Sequence, residues 1–176
     1  MKIVFEYASP LGKIFIESDG KFLTGLLFGN SSDEIKRAEN SAVPAVVSET
    51  RRWLDIYFSG REPDFTPDFR IENLTEFRRL VVEEMLKIPF GKTATYGEIA
   101  ENIAAKKNLK KMSAQAVGGA VGWNPICIIV PCHRVMGSNG NLTGYGGGIK
   151  NKIALLKNEG IDVSKFSIPK NSKYLE

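Results

Sequence analysis

Apolar and polar residues alternate with a period of two near the start of the chain. Residues 2–7, 13–18 and 22–28 are short alternating or apolar runs. They are separated by Ser9-Pro10-Leu11-Gly12 and Ser18-Asp19-Gly20-Lys21, both turn-forming, and predict an antiparallel meander. The period then changes. Residues 32–39 predict a short charged helix. Val46, Val47, Trp53, Leu54, Tyr57 and Phe58 recur near helical spacing over 44–58, with Gly60 ending that helix. Trp53, Tyr57 and Phe58 are expected in the core. Residues 60–73 hold Pro63 and Pro67 with little periodicity and read as a linker. Beyond them the pattern is mostly helical. A helix over 75–88 has Thr75 as N-cap and Phe77, Leu80, Val81 and Leu86 on one side, and Pro89 and Gly91 stop it. Further helices are expected over 95–104, 113–123 and 149–158, the first two joined by a basic connector, 106–112. Asn124-Pro125 breaks the small-residue helix, 126–130 reads as a buried strand or extended run, and 137–148 is a glycine-rich loop. The tail from about 162 is expected to be loosely held.

The fold class is therefore α+β. A small N-terminal domain with an antiparallel sheet and a helix is expected over 1–72. A mostly helical domain of helix-turn-helix, winged-helix-like type is expected over 73–165, followed by a tail, 166–176. Composition agrees with a globular protein, at 43% hydrophobic and 25% charged residues. No apolar run approaches the roughly 20 residues that span a bilayer. The first residues alternate and carry Glu6, as in a strand rather than a secretion signal. Two cysteines, Cys127 and Cys132, do not make a disulfide framework, so a reducing, cytoplasmic setting is expected. Cys127 reads as a small buried hydrophobe. One histidine and two cysteines cannot close a four-ligand zinc site without carboxylates, so neither metal nor other cofactor is expected.

The net charge of +4 conceals an asymmetry. Residues 1–72 hold 9 Lys and Arg against 12 Asp and Glu, whereas residues 73–176 hold 15 against 8. Between Glu101 and Glu159 there is no acid, while Lys106, Lys107, Lys110, Lys111, Arg134, Lys150, Lys152 and Lys157 all lie there. Such a one-signed stretch suits a polyanion, most simply nucleic acid; the alternative is a solvated basic face. Helices 95–104 and 113–122 with their connector resemble a helix-turn-helix. The second helix offers Ala114, Gln115, Ala116 and Gly119, few side chains for base edges. It suits close backbone approach to a minor groove, or else tight internal packing. Gly97, Gly118, Gly119 and Gly122 each lower helix propensity by about 1 kcal/mol relative to Ala, a cost that packing against a partner would offset. Trp123 is either a surface aromatic touching nucleic acid or a cap on the helix end.

The chemistry concentrates in Ile128-Ile129-Val130-Pro131-Cys132-His133-Arg134-Val135. A thiol becomes a good nucleophile when it loses its proton, and the single histidine of the chain stands beside it. The Tyr-Gly-Glu-Ile-Ala of 96–100, Ala-Val-Gly-Gly-Ala of 116–120, Asn124-Pro125, the Pro-Cys-His-Arg-Val of 131–135, the Gly-Tyr-Gly-Gly-Gly of 144–148 and the Leu-Leu-Lys-Asn-Glu-Gly of 155–160 resemble, in order, the motifs of the O6-alkylguanine-DNA alkyltransferases. The likeness covers residues 75–160, and the N-terminal part contributes no distinctive motif.

The resemblance implies roles position by position. Cys132 accepts the alkyl group. His133 takes the thiol proton through a bound water, and Glu159 orients the imidazole. Asn124 braces the turn before the acceptor. Tyr96 helps swing the nucleotide out of the duplex and then touches the guanine. Backbone groups of Cys132, Val135 and Gly146 read the base edge, Tyr145 lines the alkyl site, and Arg134 is structural. Ala114, Ala116 and Gly119 face DNA. In most members an Arg fills the gap left by the flipped nucleotide; Gln115 stands there in this chain. The zinc site of some members has no ligands here. The implied activity is single-turnover transfer from O6-alkylguanine, with O4-alkylthymine as an open second substrate, by a monomer acting on double-stranded DNA. Two rivals are a lesion-recognition DNA-binding protein without chemistry and a thiol hydrolase using Cys132, His133 and Glu159.

Overall fold

The computed structural model describes residues 2–29 and 42–168. The charged helix expected over 32–39 and the last part of the tail lie outside the described residues. The chain divides into two compact units: residues up to Asn73 with Pro125–Ile129, and Leu74–Asn124 with the chain from Val130 onward. Together they are α+β. Among the described residues no helix is long and apolar enough to cross a membrane.

The first unit is a meander of β1 (Ile3–Ser9), β2 (Gly12–Ser18) and β3 (Leu23–Phe28), in that order and antiparallel throughout. A two-residue turn joins β1 to β2, closed where Ser9 faces Gly12. Alternation places Phe5, Ile14, Ile16, Leu26 and Phe28 in the core. Helix α1 (Ala45–Phe58) packs on this sheet through Val46, Val47, Thr50, Trp53, Leu54 and Tyr57. The proline-bearing stretch read as a linker belongs partly to the sheet: Leu23 N–H donates to Asp68 O at 2.9 Å and Arg70 N–H to Leu23 O at 2.9 Å. Residues 125–129 also lie along β3, where Leu26 N–H donates to Pro125 O at 2.8 Å and Cys127 N–H to Leu26 O at 2.9 Å.

The apolar run 126–130 is not a strand. Beyond a single bridge at Ile126 it turns tightly. Ile129 N–H donates to Cys127 O at 2.8 Å, which puts Ile128 in the left-handed region at φ 71°. This γ-turn is strained, more so for a β-branched residue. An apolar run reports burial, here complete, but not backbone direction. Cys127 is buried, as its apolar neighbours imply.

The second unit is built on three helices that pack on one another: α2 (Glu76–Leu86), α3 (Tyr96–Lys106) and α4 (Ala114–Gly122). Each start is encoded locally. The Thr75 hydroxyl accepts from Arg78 N–H, the Ser113 hydroxyl accepts from Ala116 N–H, and Thr95 forms a capping box with Glu98. A small parallel pair escapes sequence reading: β4 (Ala94–Thr95) lies beside β5 (Val135–Met136). Helix α5 (Ile149–Asn158) buries Ile149, Leu155 and Leu156. The chain from 162 is held in place as far as it is described. Ser167 N–H donates to Gly140 O at 3.0 Å, Leu142 N–H donates to Ser167 O at 2.8 Å, and Phe166 packs on the Met136, Leu142, Ile149 and Leu156 cluster.

Candidate active site

Cys132 opens a 3-10 turn, Cys132–Arg134, rather than ending a strand. Its own N–H donates to Val130 O at 2.8 Å across Pro131, whose ring fixes φ at −82°. The Asn124 amide spans this turn. Its Nδ2 donates to Val130 O at 2.9 Å and to Cys132 Sγ at 3.2 Å. Asn124 and Cys132 are both buried. A donor on the sulfur favours its anionic form.

The next two residues of the turn converge on one carboxylate. His133 and Glu159 are fully enclosed, with Nε2 and Oε1 2.6 Å apart. Arg134 donates from Nε to both Glu159 oxygens at 3.1 and 2.9 Å and from Nη2 to Oε1 at 3.1 Å, and its Nη1 reaches Ile88 O at 2.7 Å. Gly91 N–H adds a donor to Glu159 Oε2 at 3.0 Å. Burial alone would raise the Glu159 pKa, but the His133 and Arg134 contacts outweigh it and bring it down to about 2. Glu159 is therefore ionised. Burial pushes the His133 pKa below its usual value despite the opposing pull of Glu159. The imidazole is neutral at pH 7, and its Nε2–H donates to the carboxylate. That tautomer leaves Nδ1 with the basic lone pair.

Tyr96 begins α3, and its hydroxyl donates to Thr143 O at 3.0 Å. Burial first, and the nearby Cys132 second, push its pKa up to about 12, so it is a neutral donor. A cavity of about 660 Å³ is lined by Tyr96, Ala114, Gln115 and Gly118 on one side and by Asn139, Thr143 and Gly144 on the other. Gly144, at φ 71°, has to be glycine: a Cβ there would stand 2.9 Å from the Tyr96 hydroxyl. On α4, Ala116 and Gly119 are exposed beside Ala114 and Gln115. Val135 and Tyr145 are buried and Gly146 is exposed. Trp123 caps α4, with the Arg78 guanidinium 3.9 Å from its ring centre.

The structure thus brings together Asn124, Cys132, His133, Arg134 and Glu159, and gathers Tyr96, Ala114 and Gln115 around the neighbouring cavity. Lys152 is the residue that sequence reading missed. It is fully buried, and its Nζ donates to Val135 O at 2.5 Å and Thr143 O at 3.0 Å. A signal existed: Lys152 falls in the apolar stripe of Ile149, Leu155 and Leu156. The basic gap also changes meaning. Lys106 pairs with Glu84 at 2.8 Å and Lys107 with Glu76 at 2.7 Å, both acids supplied by α2, and Arg134 and Lys152 are buried.

A buried thiol that accepts from an amide, followed in sequence by a histidine paired with a buried carboxylate and carried in the same unit as the packed α3–α4 pair, defines a class of proteins with a cysteine site in a helical domain. Comparison with known proteins agrees. Residues 76–161 match the family described as 6-O-methylguanine DNA methyltransferase, DNA binding domain, and residues 6–71 match 6-O-methylguanine DNA methyltransferase, ribonuclease-like domain. The chain is 42% identical over 151 residues to the methylated-DNA–protein-cysteine methyltransferase of Mycobacterium bovis, covering 86% of this chain and 88% of that one. It is 40% identical over 155 residues to the protein of that name from Methanosarcina acetivorans, covering 88% and 96%. The crystal structure of Mycobacterium tuberculosis OGT in complex with DNA matches with a TM-score of 0.73 at 38% identity over 94% of both chains. The chain belongs to the methylated-DNA–protein-cysteine methyltransferase family.

Proposed function

We propose that this protein repairs DNA directly, moving the alkyl group of O6-alkylguanine onto Cys132 in one irreversible turnover. The observation that carries the reading is the Asn124–Cys132 contact at 3.2 Å beside the enclosed His133–Glu159 pair at 2.6 Å. Family membership and the DNA complex of a 38% identical relative support DNA as the partner. The Leu74-to-tail unit would dock as a monomer on duplex DNA through the exposed face of α4, with Ala114, Gln115, Ala116 and Gly119 against the groove.

A thiolate cannot approach an alkyl carbon in line while the base is stacked, so the nucleotide is extruded, at a cost of a few kcal/mol. Gln115 can donate to and accept from the orphaned base. In the pocket the Val135 and Gly146 backbones read the base edge and Tyr145 lines the alkyl site. The Cys132 proton passes through a water to His133 Nδ1, and Glu159 stabilises the imidazolium that forms. The sulfur attacks the alkyl carbon, the C–S bond forms, and the C–O6 bond breaks with its electron pair left on guanine. Tyr96, a neutral donor, hydrogen-bonds N3 as that charge develops, and the proton taken up by His133 returns through water to the guanine ring. Guanine is restored and Cys132 is a thioether, which water does not cleave. No metal is needed for any step.

Stoichiometry tests this. Duplex carrying O6-methylguanine in tenfold excess should lose one methyl per protein molecule and no more. Continued turnover would instead indicate a hydrolase, and binding without loss would indicate a lesion-recognition protein.

A further inference from the structure

We infer that Asn139 is a site of spontaneous covalent modification, and that its deamidation places a carboxylate on the rim of the cavity beside α4 and weakens the hold on DNA. The covalent step stands on the turn alone; its effect on DNA rests on the proposed function.

Asn139-Gly140 is the only Asn-Gly pair in the sequence. Both residues have left-handed backbone, Asn139 at φ 56° and ψ 32° and Gly140 at φ 71°. Asn141 N–H closes the turn on Ser138 O at 3.3 Å, and Gly137 N–H donates to Asn141 O at 2.8 Å. This is type I′ geometry, which favours Asn followed by Gly. Packing requires the glycine as well, since a Cβ at 140 would stand 2.9 Å from the Phe166 ring. The fold therefore sets after Asn139 the one residue with no side chain to shield its own amide nitrogen. Ser138 and Asn139 are exposed, so water reaches the amide, and the bond across the turn is a long one.

The step is an intramolecular substitution. The Gly140 nitrogen gives up its proton and attacks Asn139 Cγ. A C–N bond forms and closes a five-membered succinimide. Nδ2 leaves with its bonding pair, takes up a proton and departs as ammonia. Water then opens the ring at either carbonyl and leaves aspartate or isoaspartate.

The product changes the cavity in two ways. None of the residues that line it, Tyr96, Gln115, Ser138 and Thr143 among them, is charged at neutral pH. The sequence has no acid between Glu101 and Glu159. A carboxylate at 139 is thus the first acid of that stretch and the one charge lining the cavity. It faces Ala114 and Gln115, which the proposed function sets against DNA, so the phosphate backbone repels it. Isoaspartate also lengthens the main chain by one carbon. The loop around it is held by Ser167 N–H on Gly140 O at 3.0 Å and Leu142 N–H on Ser167 O at 2.8 Å, so the extra atom displaces the rim.

The test ages the whole protein at pH 8 and 37 °C for two weeks, with a frozen portion as reference. Tryptic mass spectrometry should find a gain of about 1 Da on Asn139, with fragment ions separating it from Asn141. Ion exchange separates native and modified forms for fluorescence anisotropy on a labelled duplex. The modified form should bind about fivefold more weakly, the worth of one unit charge near a phosphate in water, and the difference should shrink as salt rises. Asn139→Asp should bind as weakly without ageing, and Asn139→Gln should gain no mass at that position. An unchanged Asn139, in conditions where the free peptide Val135–Lys150 deamidates, would overturn the inference. So would a modified form that binds as tightly as the native one. If the native form itself does not bind duplex, the repair reading fails, and the mass gain still decides the modification.

Discussion

Gly119→Ala should make the protein more stable and its DNA complex weaker. Gly119 sits mid-helix in α4 on the exposed face, and a Cβ built there meets nothing within 4 Å. No intramolecular contact therefore requires glycine at this position, yet glycine in a helix costs about 1 kcal/mol relative to Ala. Replacing it should recover that amount, a rise in Tm of roughly 2–4 °C for a chain of this size. The offsetting requirement lies outside the fold. If α4 lies against a groove with its backbone close to DNA, a methyl group at 119 stands in that contact, and a loss of about 1.4 kcal/mol is tenfold in Kd. Urea denaturation and fluorescence anisotropy with a labelled duplex, both at fixed salt, measure the two sides. Higher stability with unchanged DNA affinity would refute the idea that α4 is glycine-rich for the sake of a partner.

Acid should destabilise the fold in two coupled stages, because His133 and Glu159 are hydrogen-bonded to each other. The His133 pKa is lowered, so stability is lost as pH falls below 6.5, and the carboxylate of Glu159, brought to about 2, adds a loss between pH 4.5 and 2 of roughly 3 kcal/mol at 1.36 kcal/mol per unit. Urea midpoints at pH 7.5, 5 and 3 check both stages, and Glu159→Gln should remove most of the second. Asn124→Ala should cost about 1–3 kcal/mol, because Val130 O loses its donor, and should slow methyl transfer by removing the donor to Cys132 Sγ, as read by single-turnover kinetics. Lys110→Gln and Lys111→Gln should each lower the slope of log K against log salt by about 1. Lys107→Gln should change it less, since Glu76 already holds that ammonium at 2.7 Å.

The helices were legible because their ends and stripes are encoded within a few residues. Thr75, Thr95 and Ser113 act as caps, and Ile149, Leu155 and Leu156 mark the inward face of α5. What escaped depends on distant partners. Two residues of β4 beside two of β5 leave no periodicity to read. The run 126–130 announced burial, while its turns arise from bonds two residues apart that hydrophobicity does not encode. The acid-free stretch looked uniformly positive because the acids that neutralise Lys106 and Lys107 come from α2, about 20 to 30 positions earlier. At the site, Cys132 and His133 were visible as neighbours in sequence. The meeting of Glu159 with His133, Arg134 and Gly91, and of Lys152 with Val135 and Thr143, exists only once α5 folds back onto the turn.

The central claim is tested most directly by locating the alkyl group. Protein incubated with excess duplex carrying a single O6-methylguanine, then digested and analysed by mass spectrometry, should carry one added methyl, about 14 Da. That methyl should sit on the peptide holding Cys132, with Cys127 unmodified, and Cys132→Ser should take up none while still binding the duplex. Repaired DNA with an unmodified Cys132, or a methyl found elsewhere on the chain, would contradict the account.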